Sequence, residues 1–160
     1  MATTNNKFIP EPFNASSYRV AIIWCQFNKD MTGVMKETAI NCLSTDYNMS
    51  DDSIDVFKVA GAADVGSLLA ALAKSGRYDC VFPLGVIIQG ETNHFDYVAK
   101  SVSDAISLVS TNYALAIPFG ILTVNTIQQT LDRLAHTADY VHAGMHNARL
   151  IKEILTVDKI

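Results

Sequence analysis

The chain has 160 residues, a formal net charge of −4 and only 18% charged residues. That length suits one domain with a full core; the scattered basic residues argue against a nucleic-acid surface, and no apolar run approaches the ~20 residues of a membrane span. Apolar residues make up 49% of the chain, an excess that points to burial between subunits and hence to an oligomer. Cys25, Cys42 and Cys80 lie far apart and are odd in number. They read as buried free thiols in a reducing cytosol. The N-terminus lacks the basic-then-apolar pattern of a secretory signal, so a cytoplasmic location is expected.

Residues 1–17 are polar, carry Pro10 and Pro12 and read as an extended arm. The domain proper is expected over 18–160. It opens with a short apolar strand, Arg19–Cys25, followed by helical apolar spacing over Met31–Ser44. Ser53–Val59 alternates as a strand, and Asp64–Lys74 is Ala/Leu-rich and helical with Gly76 as its cap. Tyr78–Ile88 is nearly all apolar, as a strand buried on both faces should be. His94–Ser110 is helical. Ala114–Leu122 reads as a second buried strand, with Pro118 marking a distortion. Thr126–Ala135 and Ala143–Leu155 complete the pattern as helices.

This β-α-β-α-β-α-β-α-α order predicts a flavodoxin-like α/β sandwich, a four-stranded parallel sheet with helices on both faces. Ligands in such folds bind beyond the carboxyl ends of the strands. The richest of those loops follows Ile88: Gln89-Gly-Glu-Thr-Asn-His94. The N–H groups of Gly90, Glu91 and Thr92 there suit an anion, most often a phosphate. His94 is placed to move a proton near neutral pH. After the first strand come Phe27, an aromatic face for a planar ring, and Asn28. After the second come Gly61, Ala62, Ala63 and Asp64, small residues that admit close approach, with a carboxylate that binds hydroxyls or caps the next helix. Thr123 and Asn125 read as helix caps. His142 and His146 are one helical turn apart, and His136 lies nearby. With no carboxylate or cysteine completing a set, these read as surface or interface histidines, and no metal site is expected.

Together these segments resemble the 6,7-dimethyl-8-ribityllumazine synthases over about Tyr18 to Leu155. The strongest match is Gly85-Val-Ile-Ile-Gln-Gly-Glu-Thr-Asn-His-Phe-Asp-Tyr-Val98, similar to the family's phosphate loop and catalytic histidine. Gln26-Phe27-Asn28, Gly61-Ala62, Lys74-Ser-Gly-Arg-Tyr-Asp79 and Pro118-Phe-Gly-Ile-Leu-Thr123 follow in the family order. Thr126-Ile-Gln-Gln-Thr-Leu-Asp-Arg133 resembles the family helix that ends in a phosphate-binding arginine.

The resemblance implies condensation of 5-amino-6-(D-ribitylamino)uracil with 3,4-dihydroxy-2-butanone 4-phosphate, the penultimate step of riboflavin synthesis, with no cofactor. It implies that Phe27 stacks on the pyrimidine beside Asn28, that Gly61–Asp64 holds the ribityl chain, and that Ile87 and Ile88 border the ring. Gly90, Glu91 and Thr92 then bind phosphate, and His94 moves protons. Arg133 and Phe119 come from a neighbouring subunit of a pentamer or larger shell. The competing expectation is a divergent relative that binds a flavin- or lumazine-like ring, or builds a shell, without turnover. It is motivated by Ala60-Gly-Ala-Ala-Asp-Val-Gly66, where the family usually has two prolines and a glutamate, by Gln89 in place of a basic residue, and by the absence of lysines after Arg133.

Overall fold

The computed structural model describes residues 7–157. Among them strands and helices alternate: β1 (Val20–Cys25), α1 (Lys29–Tyr47), β2 (Ile54–Val59), α2 (Val65–Ser75), β3 (Cys80–Ile88), α3 (His94–Tyr113), β4 (Ile121–Val124), α4 (Ile127–Leu131) and α5 (Thr137–Val157). The strands form one sheet in the order β2-β1-β3-β4, and every neighbouring pair is parallel. The flavodoxin-like sandwich read from the alternation is the architecture found.

Strand alternation divides the core in two, because successive side chains point to opposite faces. Val20, Ile22, Phe82, Leu84, Val86 and Leu122 face one side and meet Met35, Ala39, Leu43 and Tyr47 of α1 and Val141, Met145 and Ala148 of α5. Ala21, Ile23, Cys25, Val81 and Ile87 face the other and meet Val65, Leu69 and Leu72 of α2 and Val102, Ile106 and Val109 of α3. At Gly144 a Cβ would lie 2.7 Å from a Phe82 ring carbon and 2.8 Å from Pro118 Cγ, so the missing side chain sets how closely α5 seats on β3.

Three elements differ most from the sequence reading, the others by no more than three residues at an end. The strand expected over Ala114–Leu122 is displaced: β4 runs Ile121–Val124, and only an isolated bridge, Cys80 to Ala116, precedes it. Two prolines explain the gap. The N–H of Val81 donates to Ala116 O (3.0 Å) and that of Gly85 to Gly120 O (3.2 Å). Pro83 lies midway between those donors on β3 and has no N–H to give, so the ladder toward β4 lapses beside Pro118 and Phe119. The Thr126–Ala135 helix is cut to the five residues of α4, capped by Thr126 Oγ1 accepting from Gln129 N–H (3.1 Å), and a 3-10 turn over Leu134–His136 follows. Thr126 therefore takes the cap expected of Thr123 or Asn125. The last helix starts at Thr137 rather than Ala143, because buried Thr137 and Val141 extend the apolar face of Met145 and Ala148.

Gly76 caps α2 in the left-handed conformation, φ 66°, as its sequence position suggests. Of the arm, residues 1–6 lie outside the described residues. Residues 7–15 have no regular structure. They pack on the domain all the same: Lys7 pairs with Asp139, the Phe8 ring sits edge-on to His146, the Phe13 ring sits edge-on to Tyr18 and Tyr47, and Ala15 N–H donates to Tyr47 O (2.8 Å).

Gly120 completes the break. A Cβ there would fall 2.4 Å from Pro83 O and 2.9 Å from Leu84 Cδ2, contacts that only glycine avoids. Gly120→Ala is expected to lower stability by about 1–3 kcal/mol, as overpacking against fixed backbone does. Urea unfolding checks this; an unchanged midpoint contradicts it. At the edge of the sheet, Tyr78 Oη and Arg19 Nη2 each donate to Asp55 Oδ2 at 2.7 Å. The tyrosine hydrogen bond first, then the arginine, holds Asp55 below the usual carboxylate range. Its contribution is present above the unfolded pKa, near 4, and is lost as pH falls through the lower folded value. The wild-type minus Asp55→Asn difference in unfolding midpoint should shrink on acidification, and a constant difference contradicts the assignment.

Candidate active site

The strand order reverses between β1 and β3: the chain leaves β1 toward β2, then returns past β1 to β3. At such a switch point the following loops diverge and leave a crevice at the carboxyl edge. There the structure has a cleft of about 470 Å³. Cys25 and Phe27 from the end of β1, Ala60–Ala63 after β2 and Val86–Ile88 of β3 form its wall and floor. Gly90, Thr92 and His94 at the start of α3 form the polar end, backed by Phe95 and Val98.

Local bonds fix each wall. Gln26 N–H donates to Val59 O (2.8 Å) and Phe27 N–H to Ala60 O (2.9 Å), so the loops after β1 and β2 travel together. Asn28 adopts the left-handed conformation, φ 59°, which asparagine tolerates better than most residues. Its side-chain amide donates to Val86 O (3.1 Å), tying the start of α1 to β3. Phe27 is thereby left 72% exposed with its ring over the opening. The Ala60–Gly66 loop has no proline, yet Asp64 Oδ2 accepts from Gly61 N–H (3.1 Å) and closes it internally. Asp64 thus caps the 3-10 turn over Ala62–Asp64 instead of helix α2.

The polar end is a loop, Gln89–Asn93, leading into the 20-residue helix α3. Gln89 N–H is taken by Val124 O (2.9 Å), and His94 N–H by Thr92 Oγ1 (3.3 Å). Among the described residues no protein acceptor takes the N–H of Gly90, Glu91 or Thr92. These donors stand at the positive end of a long helix, the arrangement that binds oxyanions. His94 is the first residue of α3, is exposed and lines the same cleft.

Of the residues singled out from sequence, Phe27, Gly61, Ala62, Ala63, Ile87, Ile88, Gly90, Thr92 and His94 converge on one cleft. Asn28, Asp64, Glu91, Phe119 and Arg133 are not among its lining residues. Asn28 and Asp64 spend polar atoms on fastening the loops. Phe119 is exposed in the β3–β4 break, and Arg133 is exposed with Nη1 donating to its own Gln129 O (2.9 Å). Sequence reasoning missed Cys25, Ala60, Val86, Phe95 and Val98. Phe95 and Val98 were findable, since a helix beginning at His94 turns positions 95 and 98 to one side. Cys25 is a floor residue, not a nucleophile: burial, and then the Asp64 charge, push its thiol up to about 12.

A cleft at the switch point of a parallel sheet, with unpaired backbone N–H groups, a histidine and an exposed aromatic ring, is an arrangement of the α/β class that suits a small anionic molecule. The chain belongs to the 6,7-dimethyl-8-ribityllumazine synthase family, whose model matches residues 17–157. It is similar to the 6,7-dimethyl-8-ribityllumazine synthase of Edwardsiella ictaluri (strain 93-146), with 40% identity over 91% of this chain and 92% of that protein. The enzyme of the same name from Prochlorococcus marinus (strain NATL2A) is 38% identical over 83% and 84%. That of Chloroherpeton thalassium (strain ATCC 35110 / GB-78) is 32% identical over 94% and 99%.

The raised Cys25 thiol predicts that iodoacetamide near neutral pH leaves Cys25 unmodified in the folded protein. Peptide mass spectrometry after a timed pulse checks it. Rapid labelling at Cys25 would contradict the assignment.

Proposed function

We propose that the chain condenses 5-amino-6-(D-ribitylamino)uracil with 3,4-dihydroxy-2-butanone 4-phosphate to 6,7-dimethyl-8-ribityllumazine. Membership of the family supports the reaction. The observation that carries it to this cleft is the convergence of His94, the free N–H groups of Gly90–Thr92 and the exposed ring of Phe27.

The butanone phosphate is anchored by the N–H groups of Gly90, Glu91 and Thr92, with the α3 dipole behind them. Phe27 stacks on the pyrimidine, Ile87 and Ile88 border it, and the ribityl chain runs along the backbone of Gly61–Asp64. One Asp64 oxygen holds Gly61; the other is left for a ribityl hydroxyl. The amine of the uracil attacks the ketone and water leaves, giving an imine. Loss of a proton from the adjacent carbon expels inorganic phosphate. The enol so formed takes a proton at its terminal carbon to become a ketone, and the ribityl-bearing nitrogen closes on that new carbonyl with loss of a second water. Each step moves a proton, and His94 is the acid–base side chain placed on the cleft to relay it. The substrates supply most of the reactivity, and holding both in register is the protein's main contribution.

No lysine or arginine lines the cleft of a single chain among the described residues. A dianionic phosphate calls for one, and Arg133 is proposed to supply it from a neighbouring subunit, with Phe119 closing the same wall. Exposed apolar side chains such as Ile127, Leu131 and Leu108 support burial in an assembly of at least five subunits.

His94→Ala is expected to lower kcat by about tenfold or more, toward the ~10²-fold minimum for positioned proton transfer but limited by the uncatalysed condensation. Arg133→Ala is expected to raise KM for the butanone phosphate about 10–100-fold, the equivalent of a lost hydrogen bond to a charged group. Steady-state kinetics with each substrate varied separates the two. Unchanged kcat in His94→Ala overturns the proton role, and unchanged KM in Arg133→Ala overturns the shared site.

A further inference from the structure

On the sheet face away from α2 and α3, α1 and α5 pack side by side and bring together three groups that the cleft does not use. Cys42 and Asp46, one turn apart on α1, meet His142 of α5. Cys42 Sγ and Asp46 Oδ2 are 3.5 Å apart, and each is 3.8 Å from His142 Nε2. The sequence reading assigned His142 no cysteine or carboxylate partner; both lie about a hundred positions earlier, and only the fold joins them. His136 and His146 stand apart, the first paired with Asp139 and the second edge-on to Phe8.

The spacing is that of a ligand set. A tetrahedral zinc ion binds sulfur at about 2.3 Å and nitrogen or oxygen at about 2.0–2.2 Å, which separates ligand atoms by roughly 3.3–3.6 Å. The three atoms need to close by only a few tenths of an ångström. The orientation is also supplied: Tyr47, fully buried, places its Oη 2.7 Å from His142 Nδ1. With the proton on Nδ1 and donated to Tyr47, the Nε2 lone pair faces Cys42 and Asp46, the support that metal-bound histidines ordinarily have. Access is open, since the Asp46 side chain is 43% exposed and His142 also lines a groove beside Phe8, Pro10 and His136.

We propose that Cys42, Asp46 and His142 form a site for a zinc-type divalent cation, with water as fourth ligand, that clamps α1 to α5. Binding releases the proton of the Cys42 thiol to solvent, His142 binds through its Nε2 lone pair, and thiolate and carboxylate balance the ion's charge. Thiolate and imidazole select zinc, cobalt or copper over magnesium and calcium. The site shares no residue with the cleft, so its role is structural.

Co²⁺ titration of the untagged, chelator-treated full chain tests this. One Co²⁺ per chain is expected, with a near-ultraviolet sulfur-to-cobalt band and visible bands of tetrahedral strength, all displaced by Zn²⁺. Cys42→Ser should abolish the sulfur band. Asp46→Asn, on the exposed side, keeps the fold and should weaken binding about tenfold or more. The proposal is overturned by absence of a sulfur band in the wild type, by its persistence in Cys42→Ser, or by unchanged affinity in Asp46→Asn.

Discussion

The molecule is organised by β3. It is hydrogen-bonded to β1 on one side and β4 on the other and covered by helices on both faces. A strand in that position must be apolar throughout, and from Cys80 to Ile87 every residue is buried. The cost of burying polar groups ends where the strand leaves the sheet, at Ile88. The chain there turns at once into exposed Gln89–His94 and then into α3. The buried strand thus fixes, to the residue, where the anion donors and the histidine stand.

Two features are set by how β3 is paired. Because the strand order reverses between β1 and β3, the loops carrying Phe27 and Gly61 part from the loop carrying His94, and the gap becomes the cleft. Because Pro83 cannot donate, the ladder to β4 lapses at Pro118 and leaves Phe119 on the surface. One irregularity so accounts for an exposed aromatic side chain that the proposed function uses across a subunit boundary. The loop after β2 shows a different economy. Without prolines it relies on Asp64 bonding Gly61, so a residue read as a ligand is also the brace of its own loop.

Much of this was legible in the sequence because period and burial write the same pattern. The doubly buried run of β3, the polar turn after it and the apolar spacing of α3 were visible without coordinates, and so was the grouping of Phe27, Gly61 and His94. What escaped was non-local or cooperative. The break before β4 needs two prolines 35 positions apart to be seen as neighbours across a ladder. Helix α4 stops early because its polar Gln128 and Gln129 give it little apolar face, whereas α5 begins early because Val141 extends one. Cys42, Asp46 and His142 met only when α1 and α5 were set on the same face. Arg133 is exposed in one chain, and the role proposed for it needs a neighbour.

The account rests on the cleft being a place where two substrates are joined. The most direct measurement is the rise of lumazine absorbance when the purified protein is mixed with ribitylaminouracil and the butanone phosphate, against the same mixture without protein. A rate well above that background, abolished by omitting either substrate, is the predicted result. A rate equal to the background would contradict the assignment and leave the cleft as a binding site without turnover.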